Sequence, residues 1–141
     1  MTGEHAQPID LAVTAARAAD AKGATEIIVL DVGDVLGICE MFVVVTAANG
    51  PMVKAVIDEV HERIAREWGE KPRSIEGADG RRWVLLDYAD IVVHIFLAED
   101  RDYYRIERLY SDSVQHEWRP EGHPELGAAD DAAPSSELPS A

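Results

Sequence analysis

Residues 83–97 read WVLLDYADIVVHIFL, two apolar runs separated by the short link Tyr88-Ala89-Asp90. Runs of this length, rich in branched and aromatic side chains, are typical of β-strands, and a tight link joins strands that lie antiparallel. The stretch therefore predicts a β-hairpin with strands at Trp83–Asp87 and from Ile91 to Leu97.

Side chains alternate between the two faces of a strand, which divides the first strand of this hairpin into two sets. Val84 and Leu86 share one face, which we assign to the core. The other face carries Trp83, Leu85 and Asp87. That face is either core with a terminal carboxylate or an exposed aromatic and acidic contact surface, since aromatic anchors dominate many interfaces.

Upstream of the hairpin, apolar periodicity predicts two helices and three strands. The helices have apolar residues at spacings of three and four, whereas the first two strands are nearly continuous apolar runs. We place the helices at Pro8 to Ala21 and from Asn49-Gly50-Pro51 to Gly69, and the strands at 26–32, 41–47 and 73–76, with a turn at 78–81.

Downstream, Tyr103, Ile106, Leu109 and Tyr110 return to helical spacing and predict a final amphipathic helix beside the hairpin. The fold is expected to end near Trp118, which gives one domain at residues 1–119. Residues 120–141 hold four prolines, five carboxylates and no Lys or Arg, so we predict a disordered acidic tail.

The formal charge of −14 argues against direct binding of RNA or DNA, which gains affinity by neutralising phosphates with Lys and Arg. Nine of these negative charges belong to residues 1–119, because the tail accounts for five. The charge indicates either simple solubility or a basic protein as partner.

The beginning of the chain lacks the basic and apolar regions of a signal peptide, and no apolar run is long enough to cross a bilayer. We therefore expect a cytoplasmic protein. The single cysteine, Cys39, cannot form an internal disulfide, which agrees with a reducing compartment.

Catalytic and metal-binding patterns are weak. His94 lies inside an apolar strand and is interpreted as a satisfied core histidine, and Cys39 has no evident base beside it. His61, His116 and His123 lack metal-site spacing with any cysteine. The sequence thus predicts no cofactor, no metal and no enzymatic activity.

Three segments of the chain together resemble the Iojap-related ribosomal silencing factors. They run from Lys22 through the two first strands to Val56, from Trp83 to Phe96, and from Arg101-Asp102-Tyr103-Tyr104 to Asp112. The likeness covers roughly residues 8 to 112. Two departures from the family pattern are Ala89, where relatives usually carry Gly, and Tyr110, where they usually carry Trp.

The resemblance implies an α/β fold, a single domain with a mixed β-sheet flanked by helices, similar in outline to nucleotidyltransferases but without their activity. It also implies a function: binding to the large ribosomal subunit through ribosomal protein L fourteen, which sterically blocks the small subunit and represses translation, for example under nutrient limitation. Little direct contact with nucleic acid and no membrane contact are expected. The candidate partner-binding residues are Trp83, Leu85, Asp87, Tyr88, Asp90, Arg101, Tyr103 and Tyr104.

Some of these assignments stay open at this level. Tyr103 and Tyr104 point in different directions on a helix, so at most one is easily buried, and Asp90 suits its own turn as well as a partner. Ala89 would be slightly strained in a turn that needs positive φ.

One alternative function is a nucleotidyltransferase-like enzyme. Such enzymes resemble one another in a Gly-Ser turn and in two carboxylates separated by one residue, which share a strand face and hold magnesium. This chain offers only Asp31-Val32-Gly33-Asp34 and Asp87-Tyr88-Ala89-Asp90, in which two residues intervene. The other alternative is an acidic adaptor unrelated to ribosomes.

A hairpin edge left uncovered by a helix also predicts homodimerisation.

Overall fold

The computed structural model describes residues 6–33, 37, 39–106, 108 and 113–120. These residues form three helices and five strands in one domain. In chain order the elements are α1 (Pro8–Ala21), β1 (Thr25–Asp31), β2 (Met41–Ala47), α2 (Gly50–Trp68), β3 (Ser74–Glu76), β4 (Trp83–Asp87), β5 (Ile91–Leu97) and α3 (Ala98–Tyr104).

The five strands form one sheet in the order β1-β2-β5-β4-β3. β2 and β5 are parallel, whereas the other three pairs are antiparallel. The fold class is therefore confirmed as α/β with a mixed sheet, and the predicted hairpin is the β4–β5 pair. The expected likeness in outline to nucleotidyltransferases stays a prediction.

One face of the sheet is covered by α1 and α2, which pack against each other and against the strands. α1 presents small side chains such as Ala12, Ala15 and Ala16, all fully buried, so its backbone approaches the sheet closely. α2 begins after Asn49, whose side chain accepts a hydrogen bond from the Met52 amide at 2.9 Å. Both helices match the apolar periodicity of the sequence.

The last helix is shorter than the sequence predicts. α3 ends at Tyr104, and Arg105 follows with φ at +29°, which a continuing helix does not allow. After this break Ile106 lies buried with Leu30 and Phe96 in a second apolar cluster on the other side of the sheet. The prediction of a helix that continues to Tyr110 is wrong at Arg105, while Leu109 and Tyr110 themselves lie outside the described residues.

A segment that the sequence did not identify as a strand, residues 113–118, lies along the outer edge of β1. The Asp31 amide donates to the Val114 carbonyl at 2.8 Å and the His116 amide donates to the Val29 carbonyl at 2.9 Å. Trp118 then enters the core beside the helices. The segment thus covers an edge that would otherwise offer unpaired backbone groups. The predicted acidic tail falls, after Pro120, outside the described residues.

The hairpin does not have the free edge on which the prediction of homodimerisation depended. β4 is paired with β3 on its outer side, and β5 is paired with β2. The outermost strand on that side of the sheet, β3, has only three residues. The stated reason for self-association is therefore wrong, and homodimerisation stays a prediction that light scattering can test.

The turn between β4 and β5 contains the strain that the sequence predicted. Ala89 has φ at +73°, and the Asp90 amide donates to the Tyr88 carbonyl at 2.8 Å, which closes a three-residue γ-turn. The Asp87 carboxylate supports the turn by accepting from the Ala89 amide at 2.8 Å. Asp87, not Asp90, is the side chain that stabilises this turn.

Ala89→Gly should stabilise the protein by about 0.5 to 1 kcal/mol, because glycine adopts positive φ without the steric cost that alanine carries. Urea denaturation followed by circular dichroism measures the change. Ala48→Gly is the matched control, an exposed loop alanine without positive φ, and it should destabilise slightly. If both variants lose stability, the turn is not strained at Ala89.

Candidate partner-binding face

The outward side of the hairpin differs sharply from its core side. Val84 and Leu86 are fully buried, whereas Trp83, Leu85 and Asp87 are only partly buried. The alternation predicted from the sequence is therefore present. Trp83, Leu85 and Asp87 lie on the sheet face opposite the one that α1 and α2 cover.

Strand register places further residues on this side. Across the hairpin Trp83 pairs with Phe96, Leu85 with His94, and Asp87 with Val92. We call the surface formed by Trp83, Leu85, Asp87, Val92 and His94 the hairpin face.

Trp83 is held by two aromatic neighbours on β5. Its ring stacks on Phe96, with centroids 4.8 Å apart and an interplanar angle of 27°. Its indole Nε1 donates to Nδ1 of His94 at 3.1 Å. The tryptophan is thus fixed by both stacking and a directional bond, as a rigid contact residue requires.

His94 is the most buried titratable group of the hairpin face, with 6% of its surface exposed. Burial lowers the pKa of His94 to about 4, so the ring is neutral near pH 7. Because Nδ1 accepts from Trp83, the proton of the neutral ring lies on Nε2, which has no hydrogen-bond partner among the described residues. The histidine is a core residue, as predicted, but only one of its nitrogens is satisfied.

A cavity of about 230 Å³ opens beside His94. Its lining is mainly apolar, with one ion pair between Arg73 Nε and Asp87 Oδ2 at 3.2 Å. The lining residues are Cys39, Phe42, Arg73, Leu85, Asp87, Ala89, Val92 and His94. This is a concave, mainly apolar site with one charged pair in its lining.

Cys39 also lines this cavity, and three carboxylates act on its thiol. Burial, together with the negative charges of Asp87, Glu40 and Asp90, raises the pKa of the Cys39 thiol. A thiol that resists ionisation is a poor nucleophile. The electrostatics around Cys39 therefore argue against a cysteine-based active site in this cavity.

Two of the predicted contact residues are not on the hairpin face. Tyr88 is 5% exposed and belongs to the core on the helix side, where burial raises its pKa to about 12. It follows Asp87 directly, so alternation turns its ring toward the same side as Leu86. The structure therefore leaves Tyr88 little surface for a partner.

Arg101 has a structural position instead. It is 2% exposed, and its Nη1 donates to the Glu26 carbonyl at 2.9 Å and to Thr46 Oγ1 at 2.8 Å. Glu26 has φ at +48°, within an irregularity of the β1–β2 pairing, so the guanidinium satisfies backbone that the ladder leaves unpaired. The side chains of Tyr103 and Tyr104 lie outside the described residues, and Asp90 is exposed in the turn.

The sequence did not identify Phe42, Val92 or His94 as part of a site. Pairing the hairpin directly across the three-residue link would have set Leu85 opposite Val93, whereas the observed register pairs Asp87 with Val92 and sets Leu85 opposite His94. Phe42 is brought in by the parallel pairing of β2 with β5, where it lies opposite Val92, and sequence patterns do not reveal such pairings.

Within the part of the chain that the structure describes, no three His, Cys, Asp or Glu side chains come together as metal ligands. In the same residues no helix is sufficiently long and apolar to span a membrane.

The sequence profile of one family, described as "Ribosomal silencing factor during starvation", matches residues 5–139. The chain belongs to this family. The match extends from α1 through the hairpin and into the segment predicted as an acidic tail.

Individual relatives agree with the family. The chain is 35% identical over 99 residues to "Ribosomal silencing factor RsfS" of Bacillus subtilis, covering 70% of this chain and 83% of the relative. It is 32% identical over 114 residues to "Protein Iojap, chloroplastic" of Zea mays, covering 79% of this chain and 48% of that protein. The first of these names describes a ribosomal silencing factor.

Solved structures of similar proteins share the fold. A crystal structure from Chromobacterium violaceum superposes with a TM-score of 0.71 at 27% identity, covering 84% of this chain and 98% of that one. A second, from Bacillus halodurans, gives a TM-score of 0.62 at 30% identity, with 77% and 95% covered. The domain architecture is therefore that of solved relatives.

Proposed function

We propose that this protein binds the large ribosomal subunit through ribosomal protein L fourteen and sterically prevents the small subunit from joining, in the cytoplasm and without a cofactor. Membership of the ribosomal silencing family supports a role at the ribosome. The single structural observation that supports the contact is the hairpin face, where a rigid, partly exposed Trp83 lies on the same sheet face as a mainly apolar cavity that carries the Arg73–Asp87 ion pair.

Charge supports a protein rather than an RNA as the main contact. Asp87, Glu40 and Asp90 lie near the cavity, and the chain as a whole carries −14. Phosphates would be repelled by such a surface, whereas Lys and Arg side chains of a basic ribosomal protein would be attracted. The contact residues are therefore Trp83, Leu85, Asp87 and Asp90, with Tyr103 and Tyr104 as candidates on α3.

Sucrose-gradient sedimentation with purified subunits tests the proposal. The protein should travel with the large subunit and reduce the amount of joined particle when the small subunit is added. A protein that remains at the top of the gradient and leaves joining unchanged would refute this function. The same result would leave the acidic adaptor as the better alternative.

Asp87→Asn should weaken binding to the large subunit about fivefold, roughly 1 kcal/mol, because it removes one charge from a partly exposed contact. Asn keeps the side-chain oxygen that accepts from the Ala89 amide, so the turn is retained. Asp90→Asn should act in the same direction, and higher salt should mainly slow association. Surface-immobilised large subunits provide both rate constants.

Truncation after Pro120 is the control for this charge effect, since it removes five carboxylates that are not among the proposed contact residues and should leave affinity almost unchanged. Trp83→Ala should instead speed dissociation, provided that circular dichroism shows a folded protein. If the truncated protein no longer binds while both Asn variants bind normally, the tail is the docking element and the hairpin face is not.

A further inference from the structure

We propose that His94 is a positioning residue for docking, which holds the Trp83 indole in its contact orientation through the lone pair on Nδ1. This inference rests on the proposed function for its binding part. His94 belongs to the hairpin face but is only 6% exposed, so we infer that it acts on docking through its neighbour Trp83.

The first step is geometric. Trp83 and His94 lie on adjacent antiparallel strands, on the same sheet face, but Trp83 pairs directly with Phe96 and His94 with Leu85. The indole N–H therefore reaches diagonally across the hairpin to Nδ1, at 3.1 Å. Stacking on Phe96 fixes the plane of the indole ring, while the hydrogen bond fixes which edge points inward.

The second step concerns the imidazole itself. His94 packs against Phe42 in an edge-to-face arrangement with centroids 4.3 Å apart, so its own ring has little freedom. The charged and titratable side chains that line the cavity beside it are Arg73, Asp87 and Cys39, and the first two are paired with each other. A neutral ring near pH 7 keeps the Nδ1 lone pair available to the indole.

The third step weighs this role against simple core packing. A leucine or phenylalanine would fill the same space and avoid leaving buried Nε2 without a partner among the described residues. A buried polar group without a partner costs free energy. The acceptor on Nδ1 is the feature of histidine that such apolar residues lack, and Trp83 is the side chain that uses it.

The test distinguishes the effect of the hydrogen-bond acceptor on His94 from the effect of its side-chain packing. His94→Leu removes the acceptor, whereas His94→Asn keeps an oxygen at the Nδ1 position, although it leaves a smaller side chain. Hydrogen exchange of the three indole N–H groups is followed by nitrogen-15 NMR, with the Trp83 signal assigned through Trp83→Phe. Trp68 and Trp118 serve as internal controls, since their indoles donate to Thr14 Oγ1 at 2.8 Å and to the Ile27 carbonyl at 3.2 Å.

We expect His94→Leu to raise the exchange rate of the Trp83 indole and its dissociation rate from the large subunit, each roughly fivefold, as for loss of one net hydrogen bond. His94→Asn should restore both rates even if it unfolds more easily. Should His94→Leu not fold, His94→Phe replaces it as a ring of similar shape without the acceptor.

Three results would overturn the inference: a Trp83 indole that exchanges freely in the unmodified protein, unchanged exchange and dissociation in the variant without the acceptor, or equal acceleration in His94→Asn. The last would mean that His94 acts only through stability. If the unmodified protein does not bind large subunits, the proposed function fails separately, while the exchange data still decide whether His94 positions Trp83.

Discussion

Trp118→Ala should lower the free energy of unfolding by about 3 to 5 kcal/mol, the usual cost of removing a buried aromatic side chain. Trp118 is 3% exposed and packs in the core shared by α1, α2 and the sheet. Its indole N–H also donates to the Ile27 carbonyl, which the substitution would leave without that donor. Urea denaturation followed by circular dichroism measures the loss.

Two further variants show how much of that loss comes from the indole N–H donor and how much from buried surface. Trp118→Phe keeps most of the buried surface but removes the N–H donor, so it should cost about 1 to 3 kcal/mol. Val114→Ala, at a side chain that is 60% exposed in the same segment, should change stability by less than about 0.5 kcal/mol. If Trp118→Ala costs no more than Val114→Ala, residues 113–118 do not pack as described.

Acidification should remove roughly 3 kcal/mol of stability through His94 alone. Its pKa is lowered by burial to about 4, whereas the unfolded chain titrates near 6.5. As the pH falls from about 6.5 to about 4, the unfolded state binds a proton that the folded state excludes, so protonation favours unfolding. The stabilisation is complete above the unfolded pKa and is lost as the pH falls through this window.

Denaturation curves at several pH values across this window, for the unmodified protein and two variants, isolate the effect. The His94→Asn variant has no titratable group at position 94. Its free energy of unfolding should therefore fall less between about pH 6.5 and 4, by the roughly 3 kcal/mol that we attribute to His94. His61→Gln is the matched control at an exposed histidine of α2 and should keep the steep dependence. Parallel curves for the unmodified protein and His94→Asn would refute a buried neutral imidazole.

The sequence predicted the parts of the fold that depend on local periodicity. α1 and α2 were found because their apolar residues recur at helical spacing, and β4 with β5 because alternation and a short link define a hairpin. The strained Ala89 was predicted from a departure within the family pattern. Each of these signals lies within a few residues of the feature that it predicts.

The remainder depends on contacts between distant segments. Residues 113–118 show no local strand pattern, because their conformation is fixed by backbone hydrogen bonds to the outer edge of β1. Tyr88 and Arg101 were placed on the contact surface through resemblance, whereas their burial follows from how the turn and the β1 irregularity pack. The sequence therefore predicted the part of the candidate site that lies on β4. It did not predict the residues that β2 and β5 contribute.

The pairing of residues 113–118 with β1 has a consequence for how the chain folds. The Trp118 indole binds a carbonyl 91 residues earlier, and its own carbonyl accepts from Arg17, 101 residues earlier. Such contacts raise the contact order of the protein. Closing a loop of that length lowers the chain entropy before the new contacts contribute any favourable free energy. During synthesis, α1 and β1 are made long before residues 113–118, which pair with the outer edge of β1. The first strand of the sheet therefore acquires its last neighbour only when nearly all of the domain has been made.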